Sequence, residues 1–311
     1  MSTTIILDCD PGIDDALAIA FAAGAPEIEL AGITTVAGNV ELAKTTANGL
    51  AVASFVGLGS VPVTAGCGTP LLRPALHAGH VHGESGLGGA VLPRSTRAAE
   101  AGHAIDFIIE AAAAAPGEIT LVATGPLTNI GLALRREPRL ASWVRDFVIM
   151  GGSASRGNVT PAAEFNIWAD PEAAAIVFGT QWPLGVRMIG LDVTLRARAT
   201  SAIQDRMRTL GELGSRLLLP ALAQYQDSDD ATGEPPVHDV CAIVSLADPS
   251  VFEYTPALVQ VETRGELTFG MTVTDFSAGL TPNASVATSV HADRFWKIVL
   301  DAYSSVAAKI G

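Results

Sequence analysis

Short runs of aliphatic and β-branched residues at 4–7, 31–36, 61–64, 119–123, 147–150 and 184–189 lack the polar alternation of a half-solvated strand. A strand that is apolar on both faces must be covered on both, which is the situation of a parallel sheet packed between helices. Helix-length, Ala-rich patterns near 14–23, 41–56, 103–115, 127–134 and 171–178 separate these runs. The alternation predicts an α/β fold: an open, mostly parallel sheet with helices on both faces. The last third changes character. Helical patterns fill 199–226 and follow His238, alternating stretches at 257–263 and 267–273 predict a hairpin around Arg264-Gly265, and 293–310 reads as a closing helix. Ligands of open parallel sheets sit beyond the carboxyl ends of the strands. The long polar connections 66–95 and 151–167 are of the kind that serves function.

Composition narrows the class. The 311 residues carry 19 basic and 32 acidic side chains, a formal charge of −13, with 49% apolar and only 16% charged residues. Disorder requires the opposite balance, and no basic surplus exists to neutralise nucleic acid or an anionic membrane. No repeat or linker divides the chain, so residues 1–311 are expected to form one domain. The uncharged stretch 45–72 is broken by Asn48, Gly57, Gly59, Pro62 and Gly66, as helix, turn and strand would be, not a membrane span. Cys9, Cys67 and Cys241 show no paired spacing, and the N-terminus lacks the pattern of a signal peptide. A cytoplasmic protein with reduced thiols is expected.

The first strand end concentrates acid. Ile5-Ile6-Leu7-Asp8-Cys9-Asp10-Pro11-Gly12-Ile13-Asp14-Asp15 has no Lys or Arg nearer than Lys44. The two-residue strand period puts Asp8 and Asp10 on one face. Pro11-Gly12 turns the chain, and Asp14-Asp15 open the next helix, where one of them could simply serve as a cap. Capping does not account for Asp8 and Asp10, because a carboxylate at a buried strand end is costly without a cation. A hard divalent metal bound by oxygen is the natural counter-charge.

Other strand ends supply companions. Thr124-Gly125-Pro126 offers a carbonyl or hydroxyl to the same crevice, or is an ordinary helix start. Asn158, Glu164 and Asn166 follow Gly151-Gly152 and suit hydroxyl groups, although singly they read as turn formers. His238-Asp239 opens an apolar helix, where alone it would be a surface residue and a cap.

Together the stretches DCDPGIDDALAI, TTVAGNV, ATGPLTN, MGG, GNVTPAAEFNIWADPEAA and VHDVCA resemble the inosine–uridine nucleoside hydrolase family, in the family's order along nearly the whole chain. The resemblance implies cleavage of the N-glycosidic bond of a ribonucleoside with one Ca²⁺. Asp10, Asp15, the main-chain carbonyl of Thr124 and Asp239 are its implied ligands. Asp14, Asn39, Met150, Asn158, Glu164 and Asn166 are implied to bind the ribose, with Asp8 behind the metal ligands. Asp10 would take a proton from a Ca²⁺-bound water, and His238 or His82 would serve the departing base. The family also implies a homodimer or homotetramer.

The base end is less marked. Tyr225 and Gln224 are candidate base contacts ahead of the acidic stretch 227–236, although Tyr225 reads equally as a plain core aromatic, and Trp168 either flanks the pocket or packs beneath it. His77, His80 and His82 lie in a Gly-rich segment that reads as a lid better than as a zinc site, with His82 expected to face the base. Two other readings stay open. A haloacid-dehalogenase-type phosphatase also ends a strand in Asp-x-Asp, but Pro11-Gly12 follows here. A Ca²⁺-dependent nucleoside- or ribose-binding protein without turnover would use the same ligands.

Overall fold

The computed structural model describes residues 2–226 and 233–311, so most of the acidic stretch 227–236 lies outside the described residues. The strands are β1 (Thr3–Cys9), β2 (Ile28–Thr35), β3 (Val63–Ala65), β4 (Ile119–Ala123), β5 (Asp146–Met150), β6 (Val186–Ile189), β7 (Phe252–Val261), β8 (Thr272–Asp275) and β9 (Ala284–Val290). They form one nine-stranded sheet in the order β3-β2-β1-β4-β5-β6-β9-β7-β8. Every pairing from β3 through β9 is parallel, and β7 and β8 extend the sheet antiparallel. The expected open, mostly parallel sheet is therefore present.

Two apolar cores flank it. Ile5 and Leu7 face one, with the helices Ile13–Gly24, Asp239–Ala247 and Ala292–Ile310, while Ile6 faces the other, with Ala104–Ala114, Thr128–Arg136 and Pro171–Phe178. This is the two-residue strand period made visible, and it covers both sheet faces. The uncharged stretch 45–72 divides into the helix Leu42–Phe55, a turn and β3, and no helix among the described residues is long and apolar enough to cross a membrane.

The structure departs from expectation mainly in the last third. The hairpin pairs Val261 with Thr272, so Arg264-Gly265 sits inside a longer connection and exposed Leu267 lies outside the strands. Strand β9 was not expected, because its Ala, Ser and Thr content lacks an aliphatic run. The pattern over 199–226 breaks into Ser201–Arg208, Gly211–Leu213, a widened turn at Gly214–Leu218 and Leu219–Gln226. Pro220 cannot donate a helical hydrogen bond, and a widened turn lets the chain continue past it.

Sheet order places the site. The order reverses between β1 and β4, and ligands of open α/β sheets bind at such switch points. Asp170, an acid without an assigned role in the sequence, secures the neighbourhood. Fully buried, it accepts from Leu71 N (2.9 Å), Thr128 Oγ1 (2.7 Å) and Ala173 N (3.0 Å), joining two helices to the long connection after β3. Asp170→Ala strands these donors and should cost about 2–4 kcal/mol, read as a lower urea midpoint with an unchanged slope. An unshifted midpoint would show that the three contacts are dispensable.

Candidate active site

A cleft of about 490 Å³ opens above the β1–β4 switch point, walled by Asp14, Asn39, Thr124, Glu164, Asn166, Asp239 and others, with no Lys or Arg among its described lining. Asp10 and Asp15 lie directly behind this wall. The main-chain N–H of Asn39 donates to Asp10 Oδ2 at 2.7 Å, and the Asn39 side chain donates to the Asp10 carbonyl at 3.1 Å and to Asp15 Oδ2 at 3.3 Å. Asp15 also accepts from Gly12 N (3.0 Å) and Thr124 Oγ1 (2.8 Å). Asp8 is one layer deeper, its Oδ1 accepting from Thr34 Oγ1 at 2.6 Å and Asn129 Nδ2 at 2.8 Å.

The far wall is built from the connection after β5. Glu164 caps the short helix Phe165–Ala169, accepting from Asn166 N and Ile167 N, and also takes the Gly152 N–H at 2.8 Å. The Asn166 side chain donates to the carbonyls of Thr124 (2.8 Å) and Met150 (3.0 Å), joining the ends of β4 and β5. Asn158 lies on the cleft wall, but its Oδ1 already accepts from Phe165 N. Asp14 accepts from Tyr225 OH at 2.5 Å and from His238 N at 3.4 Å. Tyr225 therefore belongs to the cleft and is not a plain core aromatic.

Four other residues sort by position. Trp168 flanks the cleft, whereas Gln224 is not part of the lining, and its Cβ lies near Gly88 instead. The ring Nδ1 of His238 meets Thr194 Oγ1 at 2.8 Å. His82 is buried at the cleft edge with Nδ1 accepting from Ile13 N at 3.2 Å, so only its other nitrogen can address a base. His77 turns to the Gly38 carbonyl, and His77, His80 and His82 form no metal-ligating group among the described residues. Sequence reading missed Thr194, which follows β6 with no motif to mark it. It also left out Phe165 and Asn129, although both stand inside stretches already singled out.

Electrostatics define the site. Burial is the main reason that the Asp14 and Asp15 carboxyls are pushed up to about 6, and those of Asp8 and Glu164 to about 7. Burial, followed by the charge of Asp15, holds Asp10 and Asp239 well above the usual carboxylate range. No group of three or more His, Cys, Asp or Glu side chains is drawn together at metal-ligand spacing among the described residues; Asp15 and Asp239 share a hydrogen bond instead. The donor chemistry still fits a hard cation. It is all oxygen, no Lys or Arg stands on the described cleft wall, and Asp10 Oδ1 is buried with no hydrogen-bond partner among the described residues. Glycines make the room: a Cβ at Gly125 would stand 2.7 Å from Asp10 Oδ1, and one at Gly38 only 2.1 Å from Oδ2.

Comparison with known proteins gives the chain's relatives. The family model for inosine-uridine preferring nucleoside hydrolase matches residues 5–297. The chain is 45% identical to the inosine-uridine preferring nucleoside hydrolase of Leishmania major, covering 98% of this chain and 99% of that one. It is 44% identical to the non-specific ribonucleoside hydrolase RihC of Salmonella typhi, with the same coverage. The solved purine-preferring ribonucleoside hydrolase from Gardnerella vaginalis superposes with a TM-score of 0.91 at 33% identity, over 98% of this chain and 99% of that one.

The buried acids carry a pH signature. A carboxyl whose folded pKa is raised binds its proton more tightly folded than unfolded. Its contribution is full below the unfolded value of about 4 and is lost as pH rises through the folded values. Those values are about 6 for Asp14 and Asp15, and about 7 for Asp8 and Glu164. Chelator-treated protein should thus lose thermal midpoint between roughly pH 5 and pH 8, on the order of 5 °C or more. A midpoint that climbs steadily over this range would show the cluster ionising without penalty.

Proposed function

The chain belongs to the inosine–uridine preferring nucleoside hydrolase family, and on that premise we propose that it hydrolyses ribonucleosides to free base and ribose, with Ca²⁺ as cofactor, Asp10 as general base and His238 beside the leaving group. The observation that carries the reading is Asp10 itself. One of its oxygens is held by Asn39 and the other is buried without a partner among the described residues, at a switch point beneath hydroxyl-binding groups.

Asp10, Asp15, Asp239 and the Thr124 carbonyl would hold the cation; the carbonyl keeps a second lone pair beyond its bond from Asn166. Bound there, Ca²⁺ would neutralise the carboxylates and make a water easier to deprotonate. Asp14, Asn39, Met150, Asn158, Glu164 and Asn166 bind the ribose, and Asp8 braces the cluster from behind. Asp10 accepts at Oδ1 the proton of the attacking water. The water oxygen bonds to the anomeric carbon as the bond to the base nitrogen breaks; the base keeps that electron pair and takes a proton through His238 Nε2. Positive charge developing on the ribose ring is stabilised by the acids around it. With Nδ1 engaged by Thr194, His238 has Nε2 left for the base. That neutral imidazole is consistent with burial and the Arg198 charge, which lower its pKa to about 4.

The finer setting belongs to the same proposal. Buried, unpaired Cys9, Cys67 and Cys241 support a reducing, cytoplasmic compartment. Exposed Leu72, Val91 and Leu267 support association into a homodimer or homotetramer, which a light-scattering mass would test.

Release of free base from inosine, uridine, cytidine and adenosine, before and after chelation, tests the whole reading. Turnover should fall on chelation and return with Ca²⁺. Asp10→Ala should lower kcat by about 10²–10⁴-fold with the fold intact. If no ribonucleoside is cleaved while calorimetry detects tight ribose binding, the protein is a binder and not an enzyme. If Asp10→Ala keeps near-normal kcat, Asp10 is not the base.

A further inference from the structure

His82 is the one cleft histidine whose ring meets the acidic turn. An amide N–H is an obligatory donor, so the Ile13 N–H at 3.2 Å requires a lone pair on Nδ1 and leaves the ring proton on Nε2. A Cβ built at Gly12 would stand 2.6 Å from His82 Nδ1 and 2.5 Å from Asn39 Nδ2, so the two side chains close over the turn from either side. Gly12 precedes the helix Ile13–Gly24, and Asp14 and Asp15 lie in that helix's first turn.

The segment around His82 is tied to the connection after β2, whose Asn39 holds Asp10 and Asp15, and through Asn48 to the turn itself. His77 Nδ1 meets the Gly38 carbonyl at 2.9 Å, Ala78 N donates to the Asn39 carbonyl at 3.0 Å, and the Asn48 amide donates to both Pro11 O and Ser85 O at 2.9 Å. On its other side the His82 ring meets Tyr225 edge-on, centroids 5.8 Å apart, and Tyr225 in turn holds Asp14. One ring thus touches the backbone that orients the acids and the aromatic that lines the cleft.

We propose that His82 is a positioning residue: its imidazole caps the turn that carries Asp10 and Asp15 and fixes these carboxylates for Ca²⁺, so it is not the acid that protonates the leaving base. To act as a cationic acid, Nδ1 would have to take a proton and give up the Ile13 N–H, whereas His238 Nδ1 faces the Thr194 hydroxyl, which can accept as well as donate. Burial and the charges of His238 and His80 oppose protonation of His82, lowering the ring's pKa to about 3. The inference rests on the proposed Ca²⁺-dependent hydrolysis. Groups that orient metal ligands from behind are typically worth 10–100-fold in metal affinity or activity.

The test separates the two ring nitrogens. Asparagine can place an acceptor where Nδ1 lies, whereas glutamine reaches the Nε2 position and leaves Ile13 unpaired. Ca²⁺ affinity, measured by competition with a fluorescent chelator, should stay within about threefold for His82→Asn. It should weaken about tenfold or more for His82→Gln and His82→Ala. In parallel, kcat is compared on inosine and on 4-nitrophenyl β-D-ribofuranoside, whose leaving group departs without protonation. Positioning predicts that His82→Ala slows both substrates alike. Unchanged Ca²⁺ affinity in His82→Ala, with slowing of inosine alone, would make His82 the acid and overturn the proposal. A wild-type protein that neither binds Ca²⁺ nor cleaves inosine would instead overturn the hydrolase reading beneath it.

Discussion

Carboxylates buried together with no basic partner are the constraint on which this structure turns. Asp8, Asp10, Asp14, Asp15, Glu164 and Asp239 are all almost inaccessible to solvent, yet no Lys or Arg appears on the described wall of their cleft. Such a group cannot ionise fully in a low-dielectric setting unless protons or a cation balance it. The fold meets this with amide and hydroxyl donors. Asn39, Asn129, Thr34 and Thr124 each contribute hydrogen bonds that partly compensate burial without adding positive charge. An arginine in their place would neutralise the acids permanently and remove the affinity for a cation. Neutral donors hold the oxygens in position and leave the charge unmet.

The parallel sheet makes this placement possible. Neighbouring β1 and β4 end side by side, so Gly125 lies against Asp10 and Thr124 bonds Asp15 although more than a hundred residues separate them in sequence. The connection after β5 then brings Glu164 and Asn166 across, and the Asn166 amide pins two strand ends at once. Part of the −13 charge is therefore the site itself and not a solvated surface.

How much of this could be read beforehand depended on whether a signal was local. Apolar runs flanked by helical patterns specified the parallel half, and Asp8 with Asp10 at one strand end specified where the acid would gather. Strand β9 was invisible because its place is set by pairing with β6 and β7 on either side, not by an aliphatic run of its own. Tyr225 was ambiguous for a similar reason. Its role is set by Asp14, which lies across the molecule, and no spacing along the chain encodes that meeting. Asp170 was overlooked because a helix-capping acid looks the same in sequence whether it serves one helix or also secures a distant loop.

Two parts of the cleft are built differently. The acidic part is assembled from strand termini and short connections whose polar atoms bond one another. The other part draws on the long connection after β3 and the helix Leu219–Gln226, which meet through His82 and Tyr225. Changes there can alter the shape of the cleft while the acids keep their backbone frame. His82 joins the two, because its ring meets Tyr225 on one side and takes the Ile13 N–H on the other. A substitution there that keeps an acceptor at the Nδ1 position can reshape the cleft edge without stranding that amide.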